Sequence, residues 1–134
     1  MANLIPVVCG IIMDGDKFLV AQRSETMTLP LCWEFPGGKI EADESETECL
    51  KRELMEELNL EVSIISKLTP VIHDYTGFSI KLIPYVVNYE GGDIIPSEHN
   101  CVDWFDISEL NKLNWAPADI PILQQVLSFK RYSK

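Results

Sequence analysis

Residues 38–60 read GKIEADESETECLKRELMEELNL, and how they fold decides how the rest of the chain is read. Ser45 followed three positions later by Glu48 is the signature of a capped helix start, in which each side chain satisfies the other residue's backbone N–H. Leu50, Leu54 and Leu58 recur at spacing four and lay down one apolar stripe. Asn59 follows the last leucine, where a left-handed residue commonly stops a helix. At about 100° per residue, Glu56 lies about 40° from Arg52, Glu53 about 100° and Glu57 about 140°, with the leucines at about 160–240°. The three glutamates share a face beside the buried stripe, not opposite it. Their mutual repulsion costs about 0.2–0.5 kcal/mol per pair, and Lys51 and Arg52 are the only basic residues on the helix. Oxygen donors this dense suit a hard divalent cation such as Mg²⁺; the plain alternative is a solvated acidic face.

On either side of this helix the chain reads as strands. PVVCGIIM (6–13) and KFLVAQR (17–23) flank the turn DGD and predict a hairpin. SETMTLPLC (24–32) is a polar loop, and WEFPGG (33–38) a short apolar segment stopped by Pro36, Gly37 and Gly38. After the helix, LEVSIISKLTPVI (60–72) and FSIKLIPYVVNYE (78–90) each read as one strand, the second broken by GGD at 91–93. CVDWFDI (101–107) is a further strand. ADIPILQQVLSFKRY (118–132) reads as a helix with apolar residues at 120, 123, 126 and 127. Strands, a central helix, more strands and a last helix predict a mixed sheet covered by helices.

With 134 residues, 46% of them hydrophobic and 24% charged, the chain fits one domain spanning 1–134. No apolar run reaches the ~18 residues of a membrane span, and the apolar start lacks a basic leader, so no membrane partner and no signal peptide are expected. A net charge of −10 argues against nucleic-acid polymers, but a cation could bridge the chain to a small anion. Cys9, Cys32, Cys49 and Cys101 show no paired metal-ligand spacing, and free thiols point to a cytoplasmic setting.

The stretch 38–60 resembles the Nudix box: Gly38, Glu44, Arg52, Glu53, Leu54, Glu56, Glu57 and Leu60 all fit its pattern. Only Asn59 departs, where the pattern has glycine, and asparagine is the other residue that tolerates the left-handed conformation. FLVAQR, CWEFPGGK and LNWAPADIPIL extend the resemblance over nearly the whole chain to the MutT-like branch, nearest in appearance to bacterial CTP pyrophosphohydrolases. The resemblance implies an α/β/α sandwich with a mixed β-sheet between helices, and hydrolysis of a nucleoside diphosphate linked to another group. It implies Mg²⁺, with Mn²⁺ as a substitute, held by the Gly37 carbonyl, Glu53, Glu56, Glu57 and Glu98, the last on the loop PSEHN.

Catalytic roles follow from the same resemblance. Glu53 is the first choice of general base and Glu98 the second; Arg52 orients a glutamate by a charge-assisted hydrogen bond, and Glu44 orients the site. Arg23 ends the second strand and could reach a phosphate. Phe35 could stack on a base or sit in the core. Asp119 stands where the branch carries a base-reading residue, though it could equally be a helix N-cap. An ionised Asp119 only accepts hydrogen bonds and so favours cytosine or guanine over uracil or thymine. At position 78, where the branch carries a basic residue, this chain has Phe78. His73 and His99 have no assigned role. The expected activity is hydrolysis of CTP, dCTP or an oxidised dGTP to monophosphate and pyrophosphate, by a monomer or weak dimer. A Nudix hydrolase of ADP-ribose or a non-catalytic nucleotide-binding module are the alternatives.

Overall fold

Alternation along the first strand sets up the whole architecture. In β1 (Asn3–Asp14), Val8 and Ile12 point to one face, and Cys9 and Ile11 to the other. Both sets are buried, so this strand is covered on both sides. The structure, a computed structural model, describes residues 3–132; the ends of the expected 1–134 domain lie outside them. The predicted hairpin forms, with β1 antiparallel to β2 (Lys17–Gln22) and Ile12 opposite Leu19. The other strands are β3 (Trp33–Glu34), β4 (Gly37–Lys39), β5 (Glu61–Lys67), β6 (Val71–Tyr75), β7 (Phe78–Gly91) and β8 (Cys101–Asp106).

All eight strands join one sheet whose central path is β3-β2-β1-β7-β5. β1 and β7 run parallel from Asn3 opposite Phe78 to Met13 opposite Asn88, and every other pairing is antiparallel. The sheet is therefore mixed, as expected.

Helix α1 (Glu46–Leu58) lays Leu50, Leu54 and Leu58 on one face of the sheet, against Val8, Ile12, Leu19 and Val87. The other face is covered by α2 (Ile107–Leu110), a 3₁₀ turn at Pro117–Asp119 and α3 (Ile120–Tyr132), through Leu110, Trp115, Ile122, Leu123 and Val126. This is the α/β/α sandwich that the sequence implied. Leu54 is fully buried, so truncating it to alanine would cost about 2–5 kcal/mol.

Three local expectations change. The run 60–72 is two strands, not one: β5 and β6 break around Pro70 and pair with successive stretches of β7. β7 continues through Gly91 before the glycine pair ends it. In α3 the buried stripe includes Ile122, while Ile120 is exposed, because the chain is still turning out of the 3₁₀ segment at that point.

Candidate active site

The predicted capping box forms, with Glu48 N–H donating to Ser45 Oγ at 3.1 Å and Ser45 N–H to Glu48 Oε1 at 2.9 Å. Asn59 is left-handed at φ 59°, and its N–H closes the helix on Met55 O at 3.0 Å. Between these ends, Arg52 is surrounded by acids. Its Nε donates to Glu44 Oε2 at 2.6 Å and its Nη2 to Glu44 Oε1 at 3.0 Å, a bidentate pair. Its Nη1 donates to Glu53 Oε1 and to Glu56 Oε2, both at 3.1 Å. The guanidinium and the Glu41 backbone N–H hold the Glu44 carboxyl down to about 2. Arg52 thus binds three glutamates, and its Nη2 also donates to Cys49 Sγ at 3.8 Å.

Glu57 is different. Its Oε1 is buried without a partner among the described residues. Burial, and then the charges of Glu53, Glu34, Glu98 and Glu56, push its carboxyl up to about 8. Glu53 is also raised, by burial first, against the pull of Arg52. An orphaned buried carboxylate oxygen in a cluster of acids is a place where a hard cation fits. Among the described residues no three such side chains are already drawn into a ligating cluster; Glu53 and Glu56 lean on Arg52 instead.

The glycine corner brings the backbone to this acid face. A Cβ on Gly38 would sit 2.2–2.6 Å from the atoms of the Glu53 carboxyl, and one on Gly37 would sit 1.9 Å from Val8 O. Only glycine admits both approaches. Gly37 also lines a cavity of about 440 Å³ with Arg23, Glu34, Phe35, Lys39, Tyr75, Phe78 and Asp119. The cavity and the acid helix therefore meet at Gly37–Gly38.

Inside the cavity, Asp119 is buried and its Oδ2 accepts from Phe35 N–H at 2.8 Å. That bond ties the start of α3 to the connection between β3 and β4. Burial pushes the Asp119 carboxyl well above its usual range, against the pull of the Phe35 amide, so the fully ionised state assumed from sequence is opposed by its surroundings. Phe35 is a core residue, its ring tilted on Trp115 at a centroid distance of 4.7 Å, and it also forms part of the cavity wall. Arg23 lies at the cavity but is held by Glu34 at 2.8 Å and by Thr28 O at 2.6 Å. Phe78, in place of a basic residue, stacks on Tyr75 at 5.4 Å.

Glu98 is exposed on the loop joining β7 to β8. The loop is attached to the end of α1, with Ser97 N–H donating to Glu57 O at 2.9 Å and Ile95 N–H to Leu58 O at 3.0 Å.

Two residues of the site escaped sequence reasoning. Glu34 accepts from Arg23 at one oxygen, and its Oε2 lies 2.7 Å from His99 Nε2. Although burial pushes the Glu34 carboxyl up, His99 and Arg23 together hold it below the usual range. His99 is itself buried. The available signal was Glu34 standing between Trp33 and Phe35 in an otherwise apolar segment.

The family model for the NUDIX domain matches residues 3–126. The CTP pyrophosphohydrolase of Escherichia coli K12 is 35% identical to this chain, over 96% of it and 95% of the relative. A putative 8-oxo-dGTP diphosphatase 2 of Mycobacterium tuberculosis is 40% identical, over 89% and 84%. Among solved structures, the E. coli ORF135 protein superposes with a TM-score of 0.86 at 34% identity, covering 99% of this chain and 94% of that one. A MutT protein from methicillin-resistant Staphylococcus aureus 252 gives a TM-score of 0.76 at 41% identity, covering 96% and 99%. With a family model matching nearly its whole length and relatives of 35–40% identity covering most of it, the chain belongs to the Nudix hydrolase family.

Proposed function

We propose that the protein hydrolyses nucleoside triphosphates to monophosphate and pyrophosphate with a divalent cation, Mg²⁺ or Mn²⁺, and that cytidine triphosphates or an oxidised dGTP are its substrates. One observation carries this reading: half-buried Glu57, whose buried Oε1 has no partner among the described residues, stands among further acids on a helix that meets a cavity of nucleotide size at Gly37–Gly38. Glu53, Glu56, Glu57, Glu98 and the Gly37 carbonyl would hold the cation. When bound, it supplies charge neutralisation at the phosphates.

The chain's own residues do the rest. Glu53 takes the proton from the attacking water as the new O–P bond forms and the bridging P–O bond breaks, and pyrophosphate leaves with the electron pair. Arg52 fixes Glu53 through Oε1, and Glu44 fixes Arg52. Glu98 is the alternative base. In the cavity, Arg23 and Lys39 offer positive charge to the phosphates.

Asp119 reads the base. The amino donor of cytosine or guanine stabilises its ionised form, and the carbonyl of uracil or thymine does not. The names of the relatives and the segment APADIP (116–121) favour triphosphates over ADP-ribose. The test is a panel of normal and modified triphosphates with pyrophosphate detection, repeated on Asp119→Ala. Loss of the preference for CTP over UTP supports base reading; unchanged selectivity rejects it.

A further inference from the structure

The loop joining β7 to β8 carries an exposed glutamate with well-anchored neighbours. On one side of Glu98, Ser97 N–H donates to Glu57 O, so the loop caps the last turn of the acid helix. On the other side, His99 enters the interior and meets Glu34 at 2.7 Å. Asn100 follows with two bonds to Gln22, its N–H to the backbone O at 2.9 Å and its Nδ2 to Oε1 at 2.7 Å. At the start of the loop, Asn59 Nδ2 donates to Asp93 O at 3.0 Å. A glycine at 59 could not make that bond, so the one departure from the box pattern serves as a tether for this loop. A Cβ on Gly92 would lie 2.3 Å from Asn59 O, so the two backbones are already in close contact.

His99 Nδ1 has no partner among the described residues, so the ring is poorly served as a core side chain. Its Nε2 meets the carboxylate that also binds Arg23 in the cavity. We propose that His99, docked on Glu34, is a positioning residue that holds Glu98 over the carboxylates of α1. The arrangement ties the cavity wall, through Arg23 and Glu34, to the loop acid. This rests on the role given to Glu98 above.

The variant His99→Leu removes the bond and keeps most of the volume; His99→Gln restores a donor. Turnover of CTP is measured across an Mg²⁺ titration for both, for Glu98→Gln, and for His99→Leu with Glu98→Gln. Amide exchange of residues 96–100 gives a readout that does not depend on activity. The expected result for His99→Leu is a fall in kcat of about 10–100-fold, with KM for CTP within about twofold of wild type and faster exchange confined to the loop. Glu98→Gln should then add little to it, because the two substitutions remove one effect, and His99→Gln should recover most of the rate. A silent Glu98→Gln would remove the role of Glu98, and this proposal with it. An effective Glu98→Gln beside a silent or fully additive His99→Leu would overturn the positioning proposal alone. Unchanged exchange in His99→Leu would overturn it as well.

Discussion

The two ends of α1 treat their carboxylates in opposite ways. Near its start, Glu44 is paired to Arg52 through both oxygens and held down to about 2. One turn past Arg52, Glu57 has a buried oxygen with no partner among the described residues and a carboxyl pushed up to about 8 by burial and its acid neighbours. Arg52 thus compensates the acid just ahead of the helix, while near the far end the buried Glu57 oxygen has no partner among the described residues. In the proposed function the compensated acid orients the site, and the uncompensated one would gain most from an external cation.

The strongest way to break this contrast is Glu57→Gln. Pyrophosphate release should fall by about 100-fold or more, because losing several kcal/mol of charge stabilisation costs a factor of ten for each 1.36; undiminished turnover would show that the open end is only surface. Next comes Arg52→Lys, which keeps the charge but loses the fork that holds Glu44 and Glu53. Its kcat should drop by about 10–100-fold, and a drop below twofold would remove the orienting role.

Gly38→Ala drives a methyl group into the Glu53 carboxyl, and should cost about 1–3 kcal/mol by chemical denaturation. A neutral result would mean that Glu53 moves freely. The pH response of metal-free protein separates the two ends more finely. Glu57 binds its proton more tightly when folded, so between about pH 4.5 and 8 the folded state holds a proton that the unfolded state has lost. Its contribution therefore falls as pH rises through that window. The melting temperature of Glu57→Gln should fall less than that of wild type between pH 5 and 8, a difference on the order of a few degrees. Equal slopes would contradict the raised carboxyl.

The α1 half of the molecule was legible because its signals are local. Ser45 with Glu48, the leucine spacing and Asn59 fix a helix without reference to anything distant, and the same periodicity places Glu53, Glu56 and Glu57 beside the core. What was not legible depended on contacts between segments far apart in the chain. Glu34 meets His99 across 65 residues, and Phe35 meets Asp119 across 84. No spacing rule in the sequence links either pair. Asp119 stands in the sequence as a charged acceptor because type and position are visible there, whereas burial, which opposes its charge, is not. The split of β5 from β6 is not legible because strand-compatible residues recur on both sides of Pro70, and only pairing with β7 shows where one strand ends.

The central claim is that a divalent cation relieves the uncompensated end of α1. Calorimetric titration of metal-free wild type and Glu57→Gln with Mg²⁺ at pH 7, in two buffers of different ionisation heat, measures affinity and protons released together. The account predicts that wild type binds Mg²⁺ and releases a proton, since ligation requires the ionised carboxylate. It predicts that Glu57→Gln binds at least about tenfold more weakly and releases none from that site. Equal affinity and equal proton release in the two proteins would contradict it.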